Sequence, residues 1–292
     1  MPFDLAPTED EQQLVEAARQ FAAEVLRPAA ALADAEARAP AEVVAAGRTM
    51  GFDLLGVPEE RGGVGTPSAP LALALVTEAL AYGDMGLAVA VLAPGSVATA
   101  VARWGTPEQH ARALLDGRPP RGALALSEPT VLYDAARPGT TATRDGEWLV
   151  LAGEKSLVPG GLDAELFVVG ALLDDRPVLV LVEASTSGLE VVPEPGMGVR
   201  ACAPARLSLA EVRVPAGSVL GATDGSTYTT CVQLSRLAWC LLGAGAGQAV
   251  LDHVVPYVQQ REAFGEPIAH RQSVAFTVAD LAIELESLRL LT

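Results

Sequence analysis

With 292 residues the chain can bury a substantial core and hold two or three domains. Half of the residues are apolar but only 4% are aromatic, so Ala, Val and Leu must build that core. A formal charge of −16 argues against DNA or RNA as a partner, because phosphate binding needs clustered Lys and Arg.

Thr8 and Glu11 form a capping-box pattern, and Leu14, Ala18, Phe21 and Val25 then make one helical stripe that should end near Pro28. A helix N-cap rather than a signal peptide is therefore expected at the start. A second helix is expected from about Pro40 to Met50, followed by a turn-rich loop, Gly51 to Gly65. Two apolar helices follow, around Ala69 to Ala81 and Gly86 to Arg103, and a short one starts at Thr106-Pro107-Glu108. The longest uncharged run, Met85 to Ala102, is broken by Pro94, Gly95 and Ser96, which favours a buried helix pair over a membrane span. Residues 1–118 thus read as an all-helical domain.

Near Pro119-Pro120 the pattern changes to period two. Asp145-Gly146 lies between Thr140–Thr143 and Trp148–Leu151, a hairpin signal, and Asp174-Asp175 separates Phe167–Gly170 from Val178–Val182. Leu189–Val192 and Val212–Val214 complete about seven short strands ending at Pro215, a small β domain over residues 119–222. From about Asp224 the helical period returns. Ser235 to Tyr257 is long and apolar, with a kink expected at Pro256. Gly243, Gly245 and Gly247 lack dinucleotide-fingerprint spacing, since Gln248 stands where the third glycine belongs; they suit close helix packing instead. Residues 223–292 form a helical hairpin, so the fold class is α+β.

Cys202, Cys231 and Cys240 are odd in number and lack Cys-x-x-Cys spacing, which points to neither a disulfide framework nor zinc. Lys155 is the sole lysine, and the preference for arginine reads as a coding bias. A cytoplasmic protein is expected.

The hairpin, REAFGEPIAHRQSVAFTVAD over Arg261 to Asp280, is the richest stretch. Arg261 and Phe264 precede a Gly265 and Pro267 turn, and Gln272 opens a helix striped by Val274, Val278, Leu281, Leu285 and Leu288. A guanidinium beside an aromatic ring suits a phosphate-bearing aromatic ligand. Equally, arginine complements a helix C-terminus and phenylalanine plugs a turn.

The order Arg-x-x-Phe-Gly, Pro-Ile, Gln, Ala-Asp resembles the hairpin of the acyl-CoA dehydrogenases, and further matches run over about residues 8–292. The resemblance implies a helical domain, a β domain and a C-terminal four-helix bundle, here half present. It implies FAD as cofactor, an acyl-CoA substrate and oxidation to the 2,3-enoyl-CoA. It also implies that Arg261, Phe264 and Gln272 reach the FAD of a neighbouring subunit.

ALALSEPT, Ala123 to Thr130, resembles the family's Thr-Glu-Pro strand, so Leu126 and Ser127 are the matching flavin contacts. Met197, Gly198, Arg200 and Val212 to Pro215 also match, with Cys202 for the usual serine. Elsewhere the chain departs from the family. Val131-Leu132-Tyr133-Asp134 replaces a Gly-Ser-Asp segment, Leu157 stands at the flavin-packing tryptophan, and Pro159 at a flavin-bonding threonine.

One branch of the family places its catalytic glutamate where Ser235 precedes Arg236, and the larger branch places it in the C-terminal quarter. No catalytic residue and no metal ligand are therefore assigned. Two readings of function follow. One is an FAD-dependent acyl-CoA dehydrogenase subunit catalysing α,β-desaturation in fatty-acid or steroid side-chain metabolism. The other is a non-catalytic subunit that completes the FAD site of a competent acyl-CoA dehydrogenase subunit. A homo- or hetero-oligomer is expected in both.

Overall fold

The computed structural model describes residues 7–64, 69–113 and 119–292. Helix α1, Glu9–Phe21, opens on the capping box read from the sequence: Thr8 Oγ1 accepts from Glu11 N–H at 3.3 Å, and Glu11 Oε2 accepts from Thr8 N–H at 2.7 Å. The expected stop at Pro28 does not occur. A π turn over Ala22–Leu26, in which Arg27 N–H reaches the Ala22 carbonyl, leads into α2, Arg27–Glu36. The wider turn accommodates a proline that lacks an N–H and would clash with an α-helical carbonyl four residues back. Helix α3, Ala41–Thr49, follows, and of the expected loop Gly65 lies outside the described residues.

Helix α4 is Ala69–Gly83. The long apolar run is α5, Met85–Leu92, and α6, Ser96–Trp104, joined by a 3₁₀ turn over Ala93–Gly95. Asp84 caps α5 by accepting from Leu87 N–H at 2.8 Å. Met85–Trp104 is long and apolar enough to cross a membrane, yet 67% of its most apolar 18-residue stretch is buried within the protein. Helix α7, Pro107–Ala113, has a second reciprocal cap between Thr106 and Gln109.

Eight strands rather than seven make the main sheet: β1 (Gly122–Ala125), β2 (Thr141–Asp145), β3 (Trp148–Val158), β4 (Leu166–Leu173), β5 (Arg176–Glu183), β6 (Leu189–Pro193), β7 (Ala205–Pro215) and β8 (Val219–Leu220). Their order is β6-β7-β3-β2-β4-β5-β8, with β1 parallel to β4. The β4–β5 turn is Asp174-Asp175, both at positive φ, the I′ geometry that short polar residues tolerate. In the β2–β3 hairpin Asp145 pairs with Trp148, so the turn is Gly146-Glu147.

Helix α8 runs from Ser226, nine residues before Ser235, to Gln260, passing through Pro256. A two-stranded hairpin, β9 (Glu262–Ala263) and β10 (Glu266–Pro267), turns the chain into α9, Gln272–Leu291. By length and composition α8 could also span a bilayer; here it packs along α4 and α9. A side chain at Gly245 would collide with the Glu78 carbonyl of α4, and one at Gly247 would meet Leu285 of α9. Glycine is thus required at position 245 for the close approach of α8 to α4, whereas at 247 the Leu285 side chain could give way. Arg289 ties α9 to Glu78 at 2.6 Å.

Three cores result. One lies among α1–α5 and includes Ala201, Cys202 and Leu242; one fills the sheet; and one joins α6 and α7 to β4, β5 and the first turns of α8.

Candidate functional site at the two ends of the long helix

Strand β1 ends at Ala125, earlier than the sequence suggests, so Leu126 and Ser127 lie just past the sheet. They are held from beneath by Lys155 of β3, which is fully buried, with Nζ 2.7 Å from Glu128 Oε1 and 3.4 Å from the Leu126 carbonyl. Glu128 is satisfied on both oxygens: Oε1 also accepts from Thr140 N–H (2.8 Å) and Thr140 Oγ1 (2.7 Å), and Oε2 accepts from Gly139 N–H (2.7 Å). Burial opposes charge on Glu128, but the Lys155 and Thr140 donors outweigh it and hold the carboxyl below its ordinary range. Burial lowers Lys155 too, with Glu128 offsetting part of the effect. We take the 2.7 Å contact, supported by Glu128's other donors, as a charged pair.

Tyr133, from the segment that departs from the family pattern, donates its hydroxyl to the Leu126 carbonyl at 3.0 Å. Tyr228, in the first turn of α8, donates to the Ala135 carbonyl at 2.8 Å and so fixes the same loop to the helix. Ser127 accepts from Ser156 N–H at 3.0 Å through its carbonyl, leaving an exposed hydroxyl. Leu157 is next along, 56% exposed at φ +52. Its N–H donates to Glu194 Oε2, which lies 2.5 Å away, while Glu194 Oε1 accepts from Ser156 Oγ and Arg206. Against the cost of burial, these donors keep Glu194 below the usual carboxylate range as well.

Proton abstraction from a weak carbon acid needs a base of raised pKa. Glu128 and Glu194 are shifted the other way, and Ser235 on α8 donates its hydroxyl to the Cys231 carbonyl at 2.8 Å. No metal-binding cluster exists among the described residues.

Arg261, Phe264 and Gln272 lie past the other end of α8. At roughly 1.5 Å per residue, about 50 Å of helix separates Tyr228 from Arg261. One chain therefore does not bring Leu126 and Ser127 together with the hairpin. All three hairpin residues are exposed, Phe264 by 93%. Among the described residues Arg261 has no carboxylate partner.

Sequence reasoning missed Lys155, whose scarcity looked like a compositional bias although the single lysine pairs with Glu128 beneath the Leu126–Ser127 segment and, with Tyr133, bonds the Leu126 carbonyl. It also missed Arg271, whose guanidinium lies 4.9 Å over the Phe264 ring.

Three family models match in order: the acyl-CoA dehydrogenase N-terminal domain over residues 8–116, the middle domain over 123–212 and the C-terminal domain over 225–292. The mitochondrial short-chain specific acyl-CoA dehydrogenase of Bos taurus is 33% identical, over 97% of this chain and 71% of its own length. Butyryl-CoA dehydrogenase from Megasphaera elsdenii superposes with a TM-score of 0.85 at 26% identity, over 99% of this chain and 79% of that one. A glutaryl-CoA dehydrogenase from Mycobacterium smegmatis, solved with FADH2, gives 0.84 at 27% identity, over 98% and 74%. The chain belongs to the acyl-CoA dehydrogenase family.

Proposed function

We propose that this chain is a subunit of an FAD-dependent acyl-CoA dehydrogenase that desaturates an acyl-CoA thioester between its α and β carbons, and that it acts in the cytoplasm. The observation that carries the reading is the placement of Arg261, Phe264 and Gln272, all exposed, about 50 Å of helix from Leu126 and Ser127. A flavin site built from both sets needs two subunits.

The hairpin fits FAD: an unpaired guanidinium suits a diphosphate, and an open ring suits a flat heterocycle. The β-domain set fits it less well. Ser127 offers a hydroxyl donor and Leu157 an apolar face, but Leu157 has no aromatic face and Pro159 has neither hydroxyl nor N–H. FAD supplies the redox chemistry of the reaction by taking up a hydride from the acyl chain. This chain's part is to bind the diphosphate through Arg261, cover the cofactor with Phe264, and hold the Leu126–Ser127 turn rigid through Lys155 and Tyr133.

A second reading is favoured by one asymmetry: the hairpin set matches the family completely, whereas the β-domain set carries Leu157, Pro159 and Tyr133. In it, the chain completes the flavin site of a catalytically competent partner subunit and supplies no base of its own.

Flavin absorbance per subunit, measured on the chain alone and on its complex with a competent subunit, tests both. Bleaching of bound flavin by an acyl-CoA in the assembly is expected under either reading, and its absence across chain lengths refutes both. Bleaching by the chain alone, at one flavin per subunit, refutes the second, and flavin content unaffected by Arg261→Ala removes the hairpin from the site under either reading. Fewer flavins than subunits, reduced further by Arg261→Ala, supports it.

A further inference from the structure

The β9–β10 turn has an unusual backbone for the residue it carries. Ala263 pairs with Glu266, which leaves Phe264-Gly265 as a two-residue turn with φ of +60 and +84. That backbone favours Asn or Asp in the first position, and a bulky side chain at positive φ is strained. Phe264 does not recover the strain by burial, because its ring is 93% exposed. What the ring touches is Arg271, whose guanidinium sits 4.9 Å from the centroid and donates through Nη2 to the Ala263 carbonyl at 3.3 Å. This is cation–π distance.

Arg271 is itself incompletely satisfied. Its Nε is buried and has no hydrogen-bond acceptor among the described residues. Neither Arg271 nor Arg261 pairs with a carboxylate among those residues, although the chain holds 36 acidic residues against 20 basic ones. The hairpin's Glu266 faces His270 instead, at 3.4 Å. Two arginines of the hairpin thus stand without counter-ions among the described residues, one of them, Arg271, over an exposed ring.

Resting on the reading of the hairpin as half of a flavin site, we propose that Arg271 is a further cofactor-binding residue. It presents a second guanidinium to the dinucleotide diphosphate beside Arg261, and it braces Phe264 so that the free face of the ring stays turned outward for stacking. The dual role follows from the planar guanidinium, which can lie on a ring and still donate from its edge.

The test is titration of FAD into the flavin-stripped assembly, followed by flavin fluorescence at several salt concentrations. Arg271→Leu keeps an apolar group over the ring but removes the charge. It should weaken FAD binding about tenfold and flatten the salt dependence, because one screened ion contact is lost. Arg271→Lys should keep the salt dependence while weakening binding less. Arg261→Ala is the control for the underlying reading: if it leaves FAD affinity unchanged, the hairpin is not part of the site and that reading fails. If Arg261→Ala weakens binding but Arg271→Leu leaves both affinity and salt slope unchanged, the Arg271 proposal alone is overturned. A loss of affinity in Arg271→Leu with an unchanged salt slope also overturns it, since that result marks a merely structural brace.

Discussion

Removing either half of the Lys155–Glu128 pair should destabilise the protein, and by unequal amounts. Breaking a buried ion pair by deleting one partner costs about 3–5 kcal/mol, because the survivor is left charged and dry. In Lys155→Met the surviving Glu128 still accepts from Thr140 N–H, Thr140 Oγ1 and Gly139 N–H, so the low end, ~3 kcal/mol, is expected. In Glu128→Gln the surviving Lys155 is fully buried and keeps a charged-to-neutral contact plus the Leu126 carbonyl at 3.4 Å. Gly139 and Thr140 also lose a full charge to donate to, so the loss should approach ~5 kcal/mol. At roughly 2–4 °C per kcal/mol for a domain of this class, Lys155→Met lowers Tm by roughly 6–12 °C and Glu128→Gln by more. Differential scanning calorimetry, supported by urea titration, measures both. The double variant Lys155→Met, Glu128→Leu should cost less than the two single losses added together, since no orphaned charge remains. If both single variants melt within 1–2 °C of the parent, below the shift expected from even 1 kcal/mol, the pair does not fix the turn and the reasoning fails.

The same carboxyl sets an acid limb. Glu128 is held below its ordinary value near 4.5, so its contribution is full above that value and is lost as pH falls through the lower folded value; Glu128→Gln should flatten a stability-versus-pH curve in that window. Along α8, Gly245→Ala should destabilise by about 1–3 kcal/mol because the methyl meets the Glu78 backbone. Gly243→Ala, with open space around it, should stabilise by about 0.5–1 kcal/mol through helix propensity, and equal signs in chemical denaturation would contradict the packing. Phe276, Ile283, Leu290 and Leu291 of α9 are exposed, so sedimentation should give a dimer or larger species, and a clean monomer would count against the assembly.

Much of this architecture was legible where local chemistry decides the structure. The Thr8–Glu11 box, the Asp174-Asp175 turn and the opening of α9 at Gln272 each depend on a few neighbouring residues. Less legible were features set by distant partners. Strand β1 has only four residues, and its parallel pairing with β4 depends on groups more than forty positions away. Pro28 signalled a stop because the π turn that tolerates it has no strong residue signature. The hairpin half of the site was readable from Arg261, Phe264 and Gln272. The distance to its other half was not, because α8 begins at Ser226 and its first turns are bound to the β domain through Tyr228.

The burial of Lys155 has a practical consequence. As the chain's only lysine, it carries the only side-chain amine, and in the native fold no part of it is accessible. Amine-selective acylating reagents should therefore spare every side chain of the intact protein, and trypsin should cut folded material after arginine alone. Labelling of this one position would then count opening events of the β domain, with its rate under native conditions reporting the free energy of that opening. A protein with many lysines would hide that signal among its surface amines; this one has a single silent probe at the centre of its sheet.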